Sequence, residues 1–300
     1  MICPRSKLSA QSPDFSRIVA GLWRIGDWNM QPQQRLEFLE QCIGLGVTTF
    51  DQADIYGNYT AEALMGEALA LAPSLRRRIE IVSKCGIKLL SNNRPQHGLK
   101  YYDTSAAHIT ASVEQSLKNL RTDYLDLLLI HRPDPLMDFD AMAQTFTQLQ
   151  LAGKVRHFGV SNFSRHQFES LHKRFPLVTN QLEFSPLHLA PLDDETFDGL
   201  QDQGIAPMIW SPLAGGQLFK SETPASVRLK GVIASIAAQS EVPFASVVYA
   251  WIMQLPSRPL PLTGSGRIEA IADAVSATSL TLSREQWFAI LAAATGHEVA

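Results

Sequence analysis

Three short apolar runs in the first half of the chain end on side chains that could handle a proton. Val47 to Phe50 runs into Asp51, Ile79 to Val82 into Ser83 and Lys84, and Leu125 to Ile130 into His131. Tyr56 follows Asp51 by five residues. On one rim these would assemble a carboxylate, an ammonium, an imidazole and a phenol. A phenol with an ordinary pKa of ~10 is a poor proton donor at neutral pH unless neighbouring positive charge lowers it. Lys84 can supply that charge, Asp51 can pair with and hold the ammonium, and His131 can donate a hydrogen bond to a substrate oxygen. The set suits handing a proton to a developing alkoxide. Singly, each has a plainer reading: Asp51 as a cap, Lys84 as a solvated strand end, Tyr56 as a packed loop aromatic, His131 as a strand terminator. Their joint delivery to one rim argues for chemistry. Metal ligation lacks its motifs, with no His-Glu-x-x-His and no Cys-x-x-Cys, and His157, His166 and His172 are irregularly spaced. No Gly-x-Ser-x-Gly elbow offers a nucleophile.

The elements that must position these groups alternate along the whole chain. Strand-like runs are expected at Arg17 to Leu22, Val47 to Phe50, Ile79 to Val82, Leu125 to Ile130, Phe158 to Val160, Val178 to Leu182, Pro207 to Trp210 and Pro259 to Thr263. Leu125 to Ile130 is nearly all apolar, as a strand buried on both faces should be. Between the runs, Ile109, Val113, Leu117 and Leu120 recur on one helical face, and Leu36, Leu39 and Ile43 do the same before Gly44 and Gly46. Asp138 is placed to cap a further helix that Gly153 closes. Helices are also expected near 62–71, 165–174, 194–203, 225–240, 244–255 and 267–274. Strict alternation implies parallel strands with helical crossovers, and eight units in 300 residues fit a closed (β/α)8 TIM barrel, an α/β fold of one domain. An open dinucleotide-binding sheet would show G-x-G-x-x-G after its first strand, and Gly21 to Gly26 does not. The expectation is one domain over 1–300, with the barrel over about 17–275 and a C-terminal helix over about 283–294.

Composition bounds the function. Lys and Arg total 26 against 29 Asp and Glu, a net charge of −3 with no basic block, which argues against nucleic acid as a partner. Hydrophobic residues at 45% and charged residues at 18% describe a cored chain and exclude disorder as its main state. The longest apolar run, Trp287 to Ala294, spans eight residues, too short to cross a membrane. The polar, Pro- and Ser-rich start of the chain has no apolar stretch of a signal peptide. Cys3, Cys42 and Cys85 are too few and scattered for a disulfide framework. A cytoplasmic protein acting on a small molecule is expected, with no membrane partner and with its oligomeric state left open.

Several segments carry a family resemblance. Thr48 to Gly57 (TTFDQADIYG), Tyr124 to His131, Gly159 to Phe163 (GVSNF) and Trp210 to Leu213 (WSPL) resemble, in order, segments of the aldo-keto reductase superfamily, and the likeness runs from about Arg17 to Ala274. It implies a (β/α)8 reductase of aldehydes or ketones using NADP(H), with Tyr56 as general acid and Asp51, Lys84 and His131 completing a catalytic tetrad. It further implies that Ser161, Asn162 and Gln181 hold the nicotinamide carboxamide. Trp210 would stack on the nicotinamide ring where relatives usually have Tyr or Phe, and Ser211 and Leu213 would face the pyrophosphate. Gly264, Ser265 and Arg267 open a helix after the eighth strand. Their backbone N–H groups, hydroxyl and guanidinium suit the 2′-phosphate that the resemblance places there. An acidic-Asn pair that many relatives set against the adenine reads Asp273-Ala274 here. Trp23 and Trp28 follow the first strand and are candidates for the substrate wall. The segment from Gly86 to Asp103 is long enough to be a functional loop, and Tyr101, Tyr102 and Gly215-Gly216 are further candidates. With no cluster of Arg or Lys in the loops, the expected substrate is an apolar or neutral carbonyl compound. The alternative is an NADP(H)-binding redox-sensing or regulatory subunit with weak turnover. The complete tetrad favours the enzyme, since a sensor needs no proton donor.

Overall fold

Eight parallel strands close into a barrel in chain order: β1 (Val19–Gly21), β2 (Thr49–Asp51), β3 (Glu80–Cys85), β4 (Leu125–Ile130), β5 (Val155–Ser161), β6 (Leu177–Glu183), β7 (Met208–Trp210) and β8 (Leu260–Thr263). The computed structural model describes residues 1–299. Around the barrel lie α1 (Pro32–Gly44), α2 (Ala61–Leu71), α3 (Ala106–Leu120), α4 (Phe139–Leu151), α5 (Arg165–His172), α6 (Thr196–Asp202), α7 (Pro224–Ser240), α8 (Phe244–Met253), α9 (Ile268–Ser276) and α10 (Arg284–Thr295). This is a single-domain (β/α)8 barrel. Among the described residues no single helix is long and apolar enough to cross a membrane.

Local chemistry starts and stops these elements. Asp138 caps α4 by accepting the N–H groups of Asp140 and Ala141 at 2.9 and 3.0 Å, which offsets donors the helix cannot satisfy itself. Ser283 and Gln286 form a reciprocal capping box at the start of α10. The turn after α1 closes at Gly46, whose φ of 78° is open to glycine at little cost. The stripe of Ile109, Val113, Leu117 and Leu120 on α3 is buried against the barrel, each such side chain contributing about 1.5–3 kcal/mol.

Strand alternation decides what the barrel holds. Val82, Leu127, Leu129, Val178 and Met208 point inward and fill the interior. Two residues further on, the same inward face presents Lys84 after Val82, His131 after Leu129 and Trp210 after Met208, so polar groups follow the apolar layers at the C-terminal rim. In β6 the pairing with β5 shifts between Leu177 and Asn180. That irregularity changes the phase: Leu182 faces the helices while Gln181 reaches into the barrel to meet Asp51.

The opposite end is closed by a feature absent from the sequence reading. Arg5–Lys7 and Asp14–Ser16 form an antiparallel hairpin, with Leu8 and Phe15 fully buried in the barrel interior. Leu8 O accepts the Ala206 N–H at 2.7 Å, and Ser16 and Thr49 exchange two hydrogen bonds at 2.9 and 3.0 Å. The Pro- and Ser-rich start of the chain is therefore a plug for the barrel floor. Within the segment from Gly86 to Asp103, Ile87–Lys88 pairs with Tyr101–Tyr102 as a second small hairpin.

Candidate active site

Lys84 sits at the centre of the rim, fully buried on β3. Its Nζ donates to both carboxylate oxygens of Asp51 at 2.5 and 2.7 Å, to Gln52 O at 2.9 Å and to Tyr56 Oη at 3.0 Å. Register explains the meeting: Asp51 pairs with Val82 on the neighbouring strand, and Lys84 lies one inward position further along. Beside Lys84, buried Glu62 on α2 accepts from Ser83 Oγ at 2.6 Å and from Asn119 Nδ2 at 3.2 Å, anchoring α2 and α3 to this strand. That anchoring needs Gly66, because a Cβ there would lie 1.9 Å from the Asn119 carbonyl oxygen. His131 stands edge-on to the Tyr56 ring with centroids 5.8 Å apart, completing the four-residue cluster.

The charges of the cluster are set by competition. Burial pulls the Lys84 ammonium down, but the Asp51 charge and the Tyr56 phenol outweigh it and hold Lys84 above its ordinary value. Burial pushes the Tyr56 phenol up, Lys84 pulls it back, and Asp51 adds to the rise. The net direction is upward, so the lowering expected from Lys84 operates without winning. His131 is held well below the usual imidazole value by burial, by Lys84 and by Arg132. It is therefore neutral at physiological pH, and its Nδ1 is buried without a partner among the described residues.

A second chain of polar contacts adjoins the first. Ser161 Oγ donates to Gln181 O at 2.9 Å, Asn162 Nδ2 donates to Ser161 Oγ at 2.8 Å, and Trp210 Nε1 donates to Asn162 Oδ1 at 3.2 Å. Gln181 Nε2 donates to Asp51 Oδ2 at 2.9 Å, so β6 is tied across the barrel to the cluster. Asn162 and Ser211 take left-handed backbone with φ of 56° and 53°, a local cost that concentrates at functional loops. Ser161, Gln181 and Trp210 line, together with Trp23, Trp28, Ser211 and Leu213, a cavity of about 800 Å³, within the usual size of a small-molecule site, whereas Asn162 lines a smaller pocket and is tied to this cavity through its hydrogen bond to Trp210.

The loop after β8 also borders that cavity. Gly264, Ser265 and Arg267 all line it. Ser265 Oγ accepts the Arg267 N–H at 3.2 Å, and among the described residues no side chain caps the start of α9, leaving backbone donors available. No carboxylate lies within 4 Å of the Arg267 guanidinium among the described residues. Uncapped N–H groups, a hydroxyl and an uncompensated cation fit an anionic group such as a phosphate.

The two tryptophans separate. Trp23 lies 6.3 Å from the Tyr56 ring, beside the cluster. Trp28 packs on Gly266, where a Cβ would meet three indole ring atoms at 2.6 to 2.8 Å, and so borders the loop after β8. Asp273 lines the cavity, whereas Ala274 is buried in the core. Gly215 and Gly216 also line it. Several lining residues are not among those expected from the sequence, including Arg24, Phe219, Phe244, Tyr249 and, beside the cluster, Arg132. The signal for Arg132 was its place directly after His131 at a strand end, the same rule that found the other rim residues.

A closed (β/α)8 barrel with this cluster at its C-terminal rim defines an enzyme class whose chemistry sits on the loops after the strands. The model of the aldo/keto reductase family matches residues 17–294. This chain belongs to the aldo/keto reductase family and is an oxidoreductase. It is 52% identical over 299 residues to the oxidoreductase YdhF of Escherichia coli (strain K12), covering 98% of this chain and 99% of that one. It is 41% identical over 290 residues to a 6-dehydroglucose reductase of Agrobacterium fabrum, covering 96% and 97%. The crystal structure of the thermostable aldo-keto reductase Tm1743, in complex with the inhibitor epalrestat, superposes with a TM-score of 0.82 at 26% identity, over 97% of this chain and 99% of that one.

Proposed function

We propose that this oxidoreductase reduces an aldehyde or ketone to an alcohol with NADPH, taking the proton from Tyr56. The observation that carries the reading is the Lys84 ammonium, held by Asp51 and donating to Tyr56 Oη at 3.0 Å at the cavity floor. Bound NADPH would supply the hydride. Tyr56 keeps its proton in the resting site, because burial holds the phenol above its ordinary value. As the proton leaves for the substrate oxygen, the Lys84 ammonium faces the phenolate that forms and stabilises it in a site of low dielectric. Asp51 and Gln52 O keep that ammonium in place. Neutral His131 can donate from one ring nitrogen to the same substrate oxygen, orienting the carbonyl toward Tyr56.

The remaining groups suit the dinucleotide. Ser161, Asn162 and Gln181 present amide and hydroxyl groups for a carboxamide, and Trp210 presents an aromatic face for its ring. Ser211 and Leu213 border the middle of the cavity, and Gly264, Ser265 and Arg267 would take the 2′-phosphate that distinguishes NADPH from NADH. The test is Tyr56→Phe. General acid catalysis contributes about 10²–10⁴-fold, so turnover of a model aldehyde should fall by that factor. NADPH affinity, read by tryptophan fluorescence, should stay near the wild-type value. Near-wild-type turnover in this variant would remove Tyr56 from the role.

A further inference from the structure

Arg132 lines the cavity beside Tyr56, Ser161 and Trp210. Its Nη1 donates to His131 O at 2.9 Å and to Ser161 Oγ at 3.4 Å, and its Cζ lies 5.5 Å from the centre of the Trp210 ring. These contacts hold the guanidinium plane in place through one nitrogen. Among the described residues Nε and Nη2 have no protein acceptor, and no carboxylate lies within 4 Å.

The surroundings make that charge unusual. Arginine stays protonated in proteins, so a half-buried guanidinium needs a compensating partner. The charge of Glu183, the last residue of β6, is felt at Arg132 without forming an ion pair with it, and Asp51 on the cavity floor is already bound to Lys84 and Gln181. The other acid lining the cavity, Asp273, sits on α9 and forms no ion pair with Arg132. Arg24 lies on the loop after β1 with its guanidinium over the exposed Trp23, and Arg267 belongs to the loop after β8. Arg132 is thus the cation beside the reacting groups with two donors left over. A planar pair of N–H groups is the geometry that matches a carboxylate with two parallel hydrogen bonds.

We propose that Arg132 anchors the substrate, and that the carbonyl compound this chain reduces carries a carboxylate, as in an aldehyde acid or a keto acid. This rests on the reading of the chain as a carbonyl reductase, and it replaces the neutral substrate expected from the sequence. Neutral hydroxyls, such as those of a sugar aldehyde, could accept from the same donors. Only the donor is charged in such bonds, so they lack the two-charge, fork-to-fork pairing of a carboxylate and leave the guanidinium uncompensated.

The experiment compares kcat/KM for 3-carboxybenzaldehyde and benzaldehyde, with glyceraldehyde as the neutral hydroxylated control. The wild-type protein should prefer the acid by about tenfold or more, as one charge-assisted contact allows. In Arg132→Gln the ratio should fall to about one. Arg132→Lys keeps a charge without the planar fork, so its ratio should fall between the two. That variant also carries the test should the glutamine protein fail to fold. Titration calorimetry with benzoate against benzyl alcohol reads the same contact without turnover. Benzoate should bind the wild-type protein more tightly, and Arg132→Gln should remove the difference. Equal use of both benzaldehydes, a preference for glyceraldehyde, or a ratio that survives Arg132→Gln would overturn the assignment. If no carbonyl compound is reduced at all, the reductase reading fails by itself. Benzoate binding that depends on Arg132 would then still support the anion anchor, and its absence would remove it.

Discussion

Replacing Lys84 by Met tests the cluster through stability as well as through rate. The side chain is fully buried and its Nζ makes four contacts, two of them to Asp51. Methionine fills similar volume without a charge, so packing is largely kept while Asp51 loses its counter-ion. Among the described residues, what remains to Asp51 is the Gln181 Nε2 donor at 2.9 Å. Stripping one partner from a buried pair costs about 3–5 kcal/mol, because the other charge stays buried and uncompensated. At about 2–4 °C per kcal/mol for a large domain, Tm should drop by roughly 6–20 °C. The decisive measurement is a double-mutant cycle in urea with Asp51→Asn. Asparagine removes the stranded charge, so Lys84→Met should cost much less in that background, with a coupling of about 0.5–3 kcal/mol or above. The phenol of Tyr56 also loses the cation that pulls it down, so the rate of aldehyde reduction should fall even in the stabilised double variant. A cycle with no coupling, or a Lys84→Met protein as stable as wild type, would refute the argument that this pair is a buried, mutually dependent one.

Other perturbations separate the remaining groups. Arg267→Ala should weaken NADPH binding by about 1.5–3 kcal/mol, the worth of a charge-assisted contact, while NADH binding barely changes; fluorescence titration with both cofactors reads this, and equal losses would contradict the assignment. Gly266→Ala places a methyl group 2.6 Å from the Trp28 indole, so it should destabilise by about 1–3 kcal/mol and loosen cofactor binding. In a Trp28→Ala background most of that cost should disappear, since the atoms in the way are gone. For pH, His131 is held neutral below its ordinary value, so the unfolded chain binds the extra proton first as pH falls. Its contribution to stability is present above the unfolded pKa of ~6.5 and is lost as pH falls from there toward the lower folded value. His131→Asn should therefore show a shallower loss of Tm on acidification through that window, and an unchanged slope would count against a buried neutral imidazole.

Much of this molecule was determined by the sequence alone. Eight apolar runs separated by helical stripes specify parallel strands with crossovers, because side-chain period and connection length are properties of the chain itself. The residue that follows each run must then stand at the C-terminal rim, which is how Asp51, Lys84 and His131 could be placed before any contact was known. Gln181 shows where that logic stops. Counting in twos from inward Val178 would turn it toward the helices, and only the shifted pairing between β5 and β6 aims it at Asp51. The Leu8 and Phe15 hairpin carries no strong local pattern and exists because the barrel floor offers an apolar space to fill. Trp28 reads like any loop aromatic until Gly266 is found beneath it. The direction of the Tyr56 shift, and the lack of a direct ion pair for Arg132 among the described residues, depend on neighbours brought from distant parts of the chain. Desolvation and Coulomb interaction depend on distance in space and on burial, and neither quantity is written in sequence separation.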